Sequence, residues 1–177
     1  GCDVAAATPA TPEVASRLFL GADAFALEPE LRRGVETLLL LDLLEHVEDP
    51  LDFLLRCRSA FANARRILVT LPARQELWSN YDEHYGHFRR YDLDSARALL
   101  ARALMPIREI GYCFHSLYAP ALVLALLGRP RPVRIAVPAS APSRHLHRFL
   151  ASWFRLETYL LPRSLPGTSI YALASFR

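Results

Sequence analysis

The sequence contains no lysine: all 21 of its Lys and Arg residues are arginine. That absence excludes a P-loop lysine, a pyridoxal Schiff base and the Tyr-x-x-x-Lys pair of short-chain dehydrogenases. Cysteine is scarce as well. Cys2, Cys57 and Cys113 stand far apart with no Cys-x-x-Cys spacing, which points to reduced thiols and a cytoplasmic address instead of a disulfide framework or a zinc site. Only seven glycines occur, and no two of them form Gly-x-Gly. No basic-then-apolar leader opens the chain. Its longest apolar run, Leu117 to Leu127 broken by Pro120, falls short of the roughly 20 residues a membrane-spanning helix needs. No RNA-recognition, zinc-finger or basic-helix pattern occurs, so no nucleic-acid module is expected.

What is present is a chain of 177 residues, 52% hydrophobic, long enough for one domain with a sizeable core and short for two. The net charge of +3 hides an asymmetry. Residues 1 to 64 hold 5 Arg against 11 Asp and Glu, and residues 65 to 177 hold 16 Arg against 7.

The most informative stretch runs from Leu38 to Pro50, Leu-Leu-Leu-Leu-Asp-Leu-Leu-Glu-His-Val-Glu-Asp-Pro. A wholly apolar run that stops at Asp42, Glu45 and His46 reads as a buried strand bringing acidic and imidazole groups to the carboxyl edge of a sheet. Open α/β sheets bind their ligands at that edge. Pro50 then opens a helix to about Ala62, with Leu51, Leu54, Leu55 and Phe61 as its apolar positions. Upstream, Gly1 to Val4 and Arg17 to Gly21 read as short strands, with a proline-broken loop over 5–16 and a surface turn or one-turn helix within Leu27 to Thr37.

Downstream, Arg66 to Leu71 is an apolar strand ended by Pro72, so strand, helix and strand alternate and a parallel sheet is expected. Gln75 to Asp92 packs aromatics, histidines and arginines without a clean period, the composition of a functional wall or lid. Asp92 or Asp94 caps a helix with Ala96, Leu99, Leu100, Ala103 and Leu104 on one face. A strand over Ile107 to His115, an apolar helix over Ser116 to Leu127, an exposed proline-rich loop over 129–143, and a helix from about His145 to Leu161 follow. Thr168 to Arg177 is expected as an antiparallel strand near an edge.

These segments, above all Asp-Leu-Leu-Glu-His-Val-Glu-Asp-Pro, resemble class I S-adenosylmethionine-dependent methyltransferases. The nearest likeness is to the small-molecule group that includes the ubiquinone-pathway O-methyltransferases. The resemblance spans nearly the whole chain. It implies a three-layer, Rossmann-like α/β sheet with helices on both faces, a single domain over 1–177, and a helical insertion at about 116–161. The family's first strand and Gly-x-Gly loop have no counterpart here, so the fold is expected to be incomplete at its N-terminal side. The implied activity is S-adenosylmethionine-dependent methyl transfer to a small-molecule acceptor. By position, Asp3 would hold the ribose hydroxyls, Asp23 and Ala24 would read the adenine, and Leu41 and Asp42 would lie beside the methionine half.

Methyl transfer from a sulfonium needs an aligned nucleophile and excluded water. His46 is the candidate base for a hydroxyl acceptor, its alternative being a helix-entry histidine tied to backbone. Asp42, Glu45 and His46, at i, i+3 and i+4, have a spacing that can converge on a metal, or Glu45 can cap the turn; the site is assigned without a metal. Trp78, His84, His87, Arg89, Arg90 and Tyr91 are the candidate acceptor-binding set. Alternatively, the two arginines pair with Asp82, Glu83 or Asp92 and Tyr91 packs. Leu117 to Leu127, with Arg129, Arg131 and Arg134 beside it, reads either as a core helix over the acceptor pocket or as a peripheral membrane contact. Two other functions stay open: a non-catalytic binding module of the same fold, and a nicotinamide-dependent enzyme using Asp3. Neither the acceptor nor the oligomeric state is legible.

Overall fold

The computed structural model describes residues 2–3, 19–20, 22–131, 133 and 141–176. The expected loop over 5–16 and most of the expected loop over 129–143 lie outside them. Two short strands, β1 (Cys2–Asp3) and β2 (Phe19–Leu20), pair in parallel. The main sheet holds β3 (Thr37–Leu41), β4 (Arg66–Pro72), β5 (Ile107–Cys113) and β6 (Ser169–Ser175) in the order β3-β4-β6-β5. β3 and β4 are parallel, whereas β6 runs antiparallel to both of its neighbours. The α/β class expected from the alternation is the one observed. The closing strand is antiparallel as expected, but it lies between β4 and β5 and not at an edge. Its composition explains the position: Ile170, Ala172 and Ala174 are fully buried, and alanines let helices sit close above the sheet.

Local chemistry sets the helix boundaries. After α1 (Pro29–Arg33), α2 (Pro50–Ala60) starts at Asp49, whose carboxylate accepts from the Leu51 and Asp52 amides at 3.1 and 3.0 Å, with Pro50 in the first turn. The segment Gln75 to Asp92 is more regular than its composition suggests. It forms a 3₁₀ turn at Gln75–Leu77 and a short helix, α3 (Asn80–His84), closed at its start by a reciprocal Ser79–Asp82 capping box. α4 (Leu93–Arg102) has the same device in Asp92 and Ser95. Two further helices, α5 (Tyr118–Leu126) and α6 (Ala141–Leu160), lie between β5 and β6.

The core sits on one face of the sheet. Ile67, Val69 and Leu71 of β4 and the buried residues of β6 meet Leu54 and Cys57 of α2 and Ala96, Leu99 and Leu100 of α4. Each fully buried aliphatic side chain there contributes about 1.5–3 kcal/mol. α5 corrects one expectation: it buries none of its residues, so it is not a core helix.

β3 has β4 on one side and no strand on the other among the described residues. Its Leu39 and Leu41 are 59% and 57% exposed. Beside it, Phe25, Leu31, Val35 and Phe53 line an apolar groove of about 440 Å³.

Candidate functional site

β3 ends at Leu41, and the next residue takes a conformation that side chains other than glycine rarely adopt: Asp42 has φ 47°. Thr70, on the neighbouring strand, holds this turn. The Asp42 amide donates to the Thr70 carbonyl at 3.2 Å and to its Oγ1 at 2.9 Å, and Thr70 Oγ1 donates back to Asp42 Oδ1 at 3.1 Å. The chain then winds through a 3₁₀ turn at Leu44–His46 before Asp49 caps α2. Glu45 and His46 are thereby presented beside Asp42 at the carboxyl edge of the sheet. A pocket of about 290 Å³ opens there, lined by Asp42, Glu45, His46, Tyr81, His87 and Arg90, with Arg131, Thr168 and Ser169 closing its rim.

Asp82 organises the far wall. Its fully buried carboxylate accepts from His87 Nδ1 at 2.9 Å, from Arg90 Nε and Nη2 at 2.8 and 3.1 Å, and from the Ser79 amide at 2.9 Å. Burial alone would push this carboxyl up, but the Arg90, His87 and Ser79 hydrogen bonds together hold it below its ordinary range. An ionised carboxylate on Nδ1 fixes the His87 tautomer and leaves Nε2 for the pocket. Arg90 also donates to the Ala73 carbonyl at 2.9 Å, so its guanidinium is committed to the wall.

His46 stands edge-on to His87, with ring centroids 4.7 Å apart at 83°. Burial first, then the neighbouring His87, lowers its pKa, with the Tyr85 backbone and Asp42 acting in the opposite direction. The neutral imidazole is favoured, with a ring nitrogen able to accept a proton. Glu45 is 1% exposed, and its Oε2 has no hydrogen-bond partner among the described residues. Burial pushes its carboxyl up to about 7, with the nearby Asp42 acting in the same direction. The ligand atoms of Glu45, His46 and His87 lie within 4.8 Å of one another, a donor set of one carboxylate and two imidazoles that suits a divalent cation. The same three groups can instead hold and move a proton.

Of the residues singled out from the sequence, the structure gathers Asp42, His46, His87 and Arg90 around one pocket, with Leu41 immediately before it. The others lie elsewhere. Arg89 donates to the Glu48 carbonyl at 2.7 Å and faces a separate groove beside α2 and α4. Tyr91 is buried, and its hydroxyl donates to the Leu44 carbonyl at 3.3 Å, bracing the 3₁₀ turn from behind. Trp78 does not line the pocket; His84 does not either, and it stands edge-on to Tyr85 at 5.0 Å. Asp23 caps a 3₁₀ turn by accepting from the Phe25 amide at 2.9 Å, and Ala24 lines the apolar groove along β3. Asp3 ends β1, and its side chain lies outside the described part. The arginine pairing with Asp82 expected as an alternative is observed for Arg90, while sequence reasoning passed over the Asp82 contact with His87 and over Tyr81, Arg131, Thr168 and Ser169 as pocket residues. Asp82 had a local signal in Ser-x-x-Asp at a helix start. Thr168 and Ser169 had none, since only the position of β6 beside β4 brings them to the site.

No protein-family model and no curated protein matches the chain. Among solved structures, an S-adenosylmethionine-dependent methyltransferase from Archaeoglobus fulgidus aligns with 90% of this chain and 68% of its own, at 12% identity and a TM-score of 0.45. A candidate sarcosine dimethylglycine methyltransferase from Galdieria sulphuraria aligns with 93% of this chain and 61% of its own, also at 12% identity, with a TM-score of 0.47. The chain thus spans 68% and 61% of the lengths of the two solved proteins to which it is similar.

Proposed function

We propose that this chain serves S-adenosylmethionine-dependent methyl transfer to a small-molecule acceptor, with the methionine half of the cofactor beside Asp42 and with His46 as the proton acceptor. The observation that carries this reading is the Asp42 turn: a left-handed residue at the carboxyl end of β3 that sets two carboxyl groups and two imidazoles around one pocket. The donor set fits a cationic ligand, since Asp42 is exposed and Glu45 Oε2 is unpartnered among the described residues.

When bound, S-adenosylmethionine supplies a methyl group on a sulfonium whose displacement leaves a neutral thioether. The residues of this chain then have a short list of tasks. His46 takes the proton that an acceptor hydroxyl loses as its oxygen bonds the methyl carbon, and the suppressed basicity of His46 keeps it neutral and ready near pH 7. His87, oriented by Asp82, sets the angle of His46. Tyr81 walls the pocket and helps to exclude water.

Methyl-labelled S-adenosylmethionine offered with a panel of phenols, alcohols and carboxylates tests this directly. The expected result is label in one acceptor class together with an equal amount of S-adenosylhomocysteine. Cofactor binding without turnover across the panel would favour the second reading, a non-catalytic binding module. That reading rests on the lack of any Gly-x-Gly in the 177 residues.

A further inference from the structure

The outer surface of α5 and α6 is apolar where water would meet it. Leu126 is 78% exposed, Phe149 65% and Leu160 69%, and Leu127, Leu146 and Trp153 are also exposed. On α6, positions 146, 149, 153 and 160 fall within a narrow arc of the helix, so their side chains form a single stripe. A contiguous exposed stripe of Leu, Phe and Trp marks an interaction surface.

Charge identifies what it meets. Residues 110 to 156 contain six arginines, Arg129, Arg131, Arg134, Arg144, Arg148 and Arg155, and no Asp or Glu. The first acid after them, Glu157, is buried and accepts from the Ser116 amide at 3.1 Å, so it offers no negative charge outside. On α6, Arg144, Arg148 and Arg155 share a line on the side away from the apolar stripe. A phosphate backbone gains nothing from exposed leucine. A helix with Leu, Phe and Trp on one face and arginine as the only charged residue type on the other complements an anionic lipid surface. No described helix is long and apolar enough to cross a membrane, so the contact is with the surface.

We infer that α5 and α6 form an interfacial element that seats this protein on an anionic bilayer, with Leu126, Leu127, Phe149, Trp153 and Leu160 entering the headgroup boundary. The element is fixed to the body. Trp153 Nε1 donates to Ser116 Oγ at 3.1 Å, and Phe154 stands edge-on to Phe114 at 5.1 Å. It is also continuous with the wall of the pocket. The Arg131 amide donates to Asn80 Oδ1 at 2.8 Å, Asn80 Nδ2 donates to the Arg131 carbonyl at 3.0 Å, and the Arg131 guanidinium lies 5.4 Å from the Tyr81 ring. The bilayer contact therefore places the pocket next to the lipid surface. It does not depend on the methyl-transfer reading.

Vesicle sedimentation tests this with the chain as it stands. Vesicles of phosphatidylcholine with about 30% phosphatidylglycerol should carry the protein down at least about fivefold more than phosphatidylcholine alone, and about 0.5 M salt should release much of it. The double variant Leu126→Asp, Phe149→Asp alters exposed positions only; it should keep its circular dichroism and melting temperature yet lose about tenfold in sedimentation. The inference is overturned if the protein ignores anionic vesicles or if the folded variant sediments equally well. It is also overturned if ultracentrifugation shows a dimer that the same variant dissociates.

Discussion

His46 and Glu45 are adjacent in sequence and shift in opposite directions for one reason: burial favours the neutral form of each, which lowers the imidazole and raises the carboxyl. The His46 pKa lies below its ordinary 6.5, so the acid limb of a rate profile should fall below that value, with a plateau through neutral pH. Replacing His46 by Gln should cost roughly 10²–10⁴ in rate with little change in cofactor affinity. Metal chelation separates the two uses of the cluster: a rate unaffected by EDTA is expected if His46 is the base, whereas a strict need for Mg²⁺, Mn²⁺ or Zn²⁺ would make His46 a ligand.

For Glu45 the raised carboxyl means that the folded state holds its proton more firmly than the unfolded chain does. Its contribution to stability is therefore complete below the ordinary 4.5 and is lost as pH rises towards about 7. The loss amounts to about 3 kcal/mol at most. Glu45→Gln removes that slope, so the variant should gain stability over the parent at about pH 8 and much less at about pH 5, as read by denaturant unfolding. Asp82 is the converse case. Asp82→Asn leaves the Arg90 guanidinium in the wall without its anion and should cost about 3 kcal/mol or more, with His87 released from its orientation.

Among the elements, those with local signals were legible and those defined by neighbours were not. The β3 run, the Pro50 helix start and the Asp92 cap all announce themselves within a few residues, and the structure puts each close to its expected place. The order of the strands does not, because the short apolar and alanine-rich β6 reads equally well as an edge or as a central strand. Only its pairing with both β4 and β5 settles the matter. The same holds for α5, whose apolar residues carry a core composition although none of them is buried. The Gln75 to Asp92 segment shows a third case: its missing periodicity reflects one buried carboxylate that recruits His87 and Arg90, five and eight residues on, through side-chain contacts that no helix or strand period encodes. A related constraint fixes the entry to β6. A Cβ on Gly167 would run into the Cys113 carbonyl, so Gly167→Ala must push β5 and β6 apart. A loss of about 2–3 kcal/mol in unfolding free energy is expected, together with a displaced Thr168–Ser169 rim.

At the scale of the molecule, a sheet with its core on one face meets two unusual boundaries. Along β3 a strand of four leucines, the composition of a strand with neighbours on both sides, has one partner among the described residues and an apolar groove beside it. Beyond β5 an exposed apolar and cationic surface continues into the pocket wall. The pocket lies between these boundaries, at the carboxyl end of β3 and β4. Its chemistry was largely readable from one thirteen-residue stretch, 38–50, although its walls come from α3, the segment at Arg131 and the start of β6. The most direct measurement is calorimetric titration of S-adenosylmethionine into this chain, into its Asp42→Ala variant, and into a form extended upstream by about 50 residues, roughly one βαβ unit. The account predicts one cofactor per chain in the parent or the extended form, competed by S-adenosylhomocysteine and weakened at least about tenfold by Asp42→Ala. Failure of both forms to bind, or binding indifferent to Asp42, would contradict it.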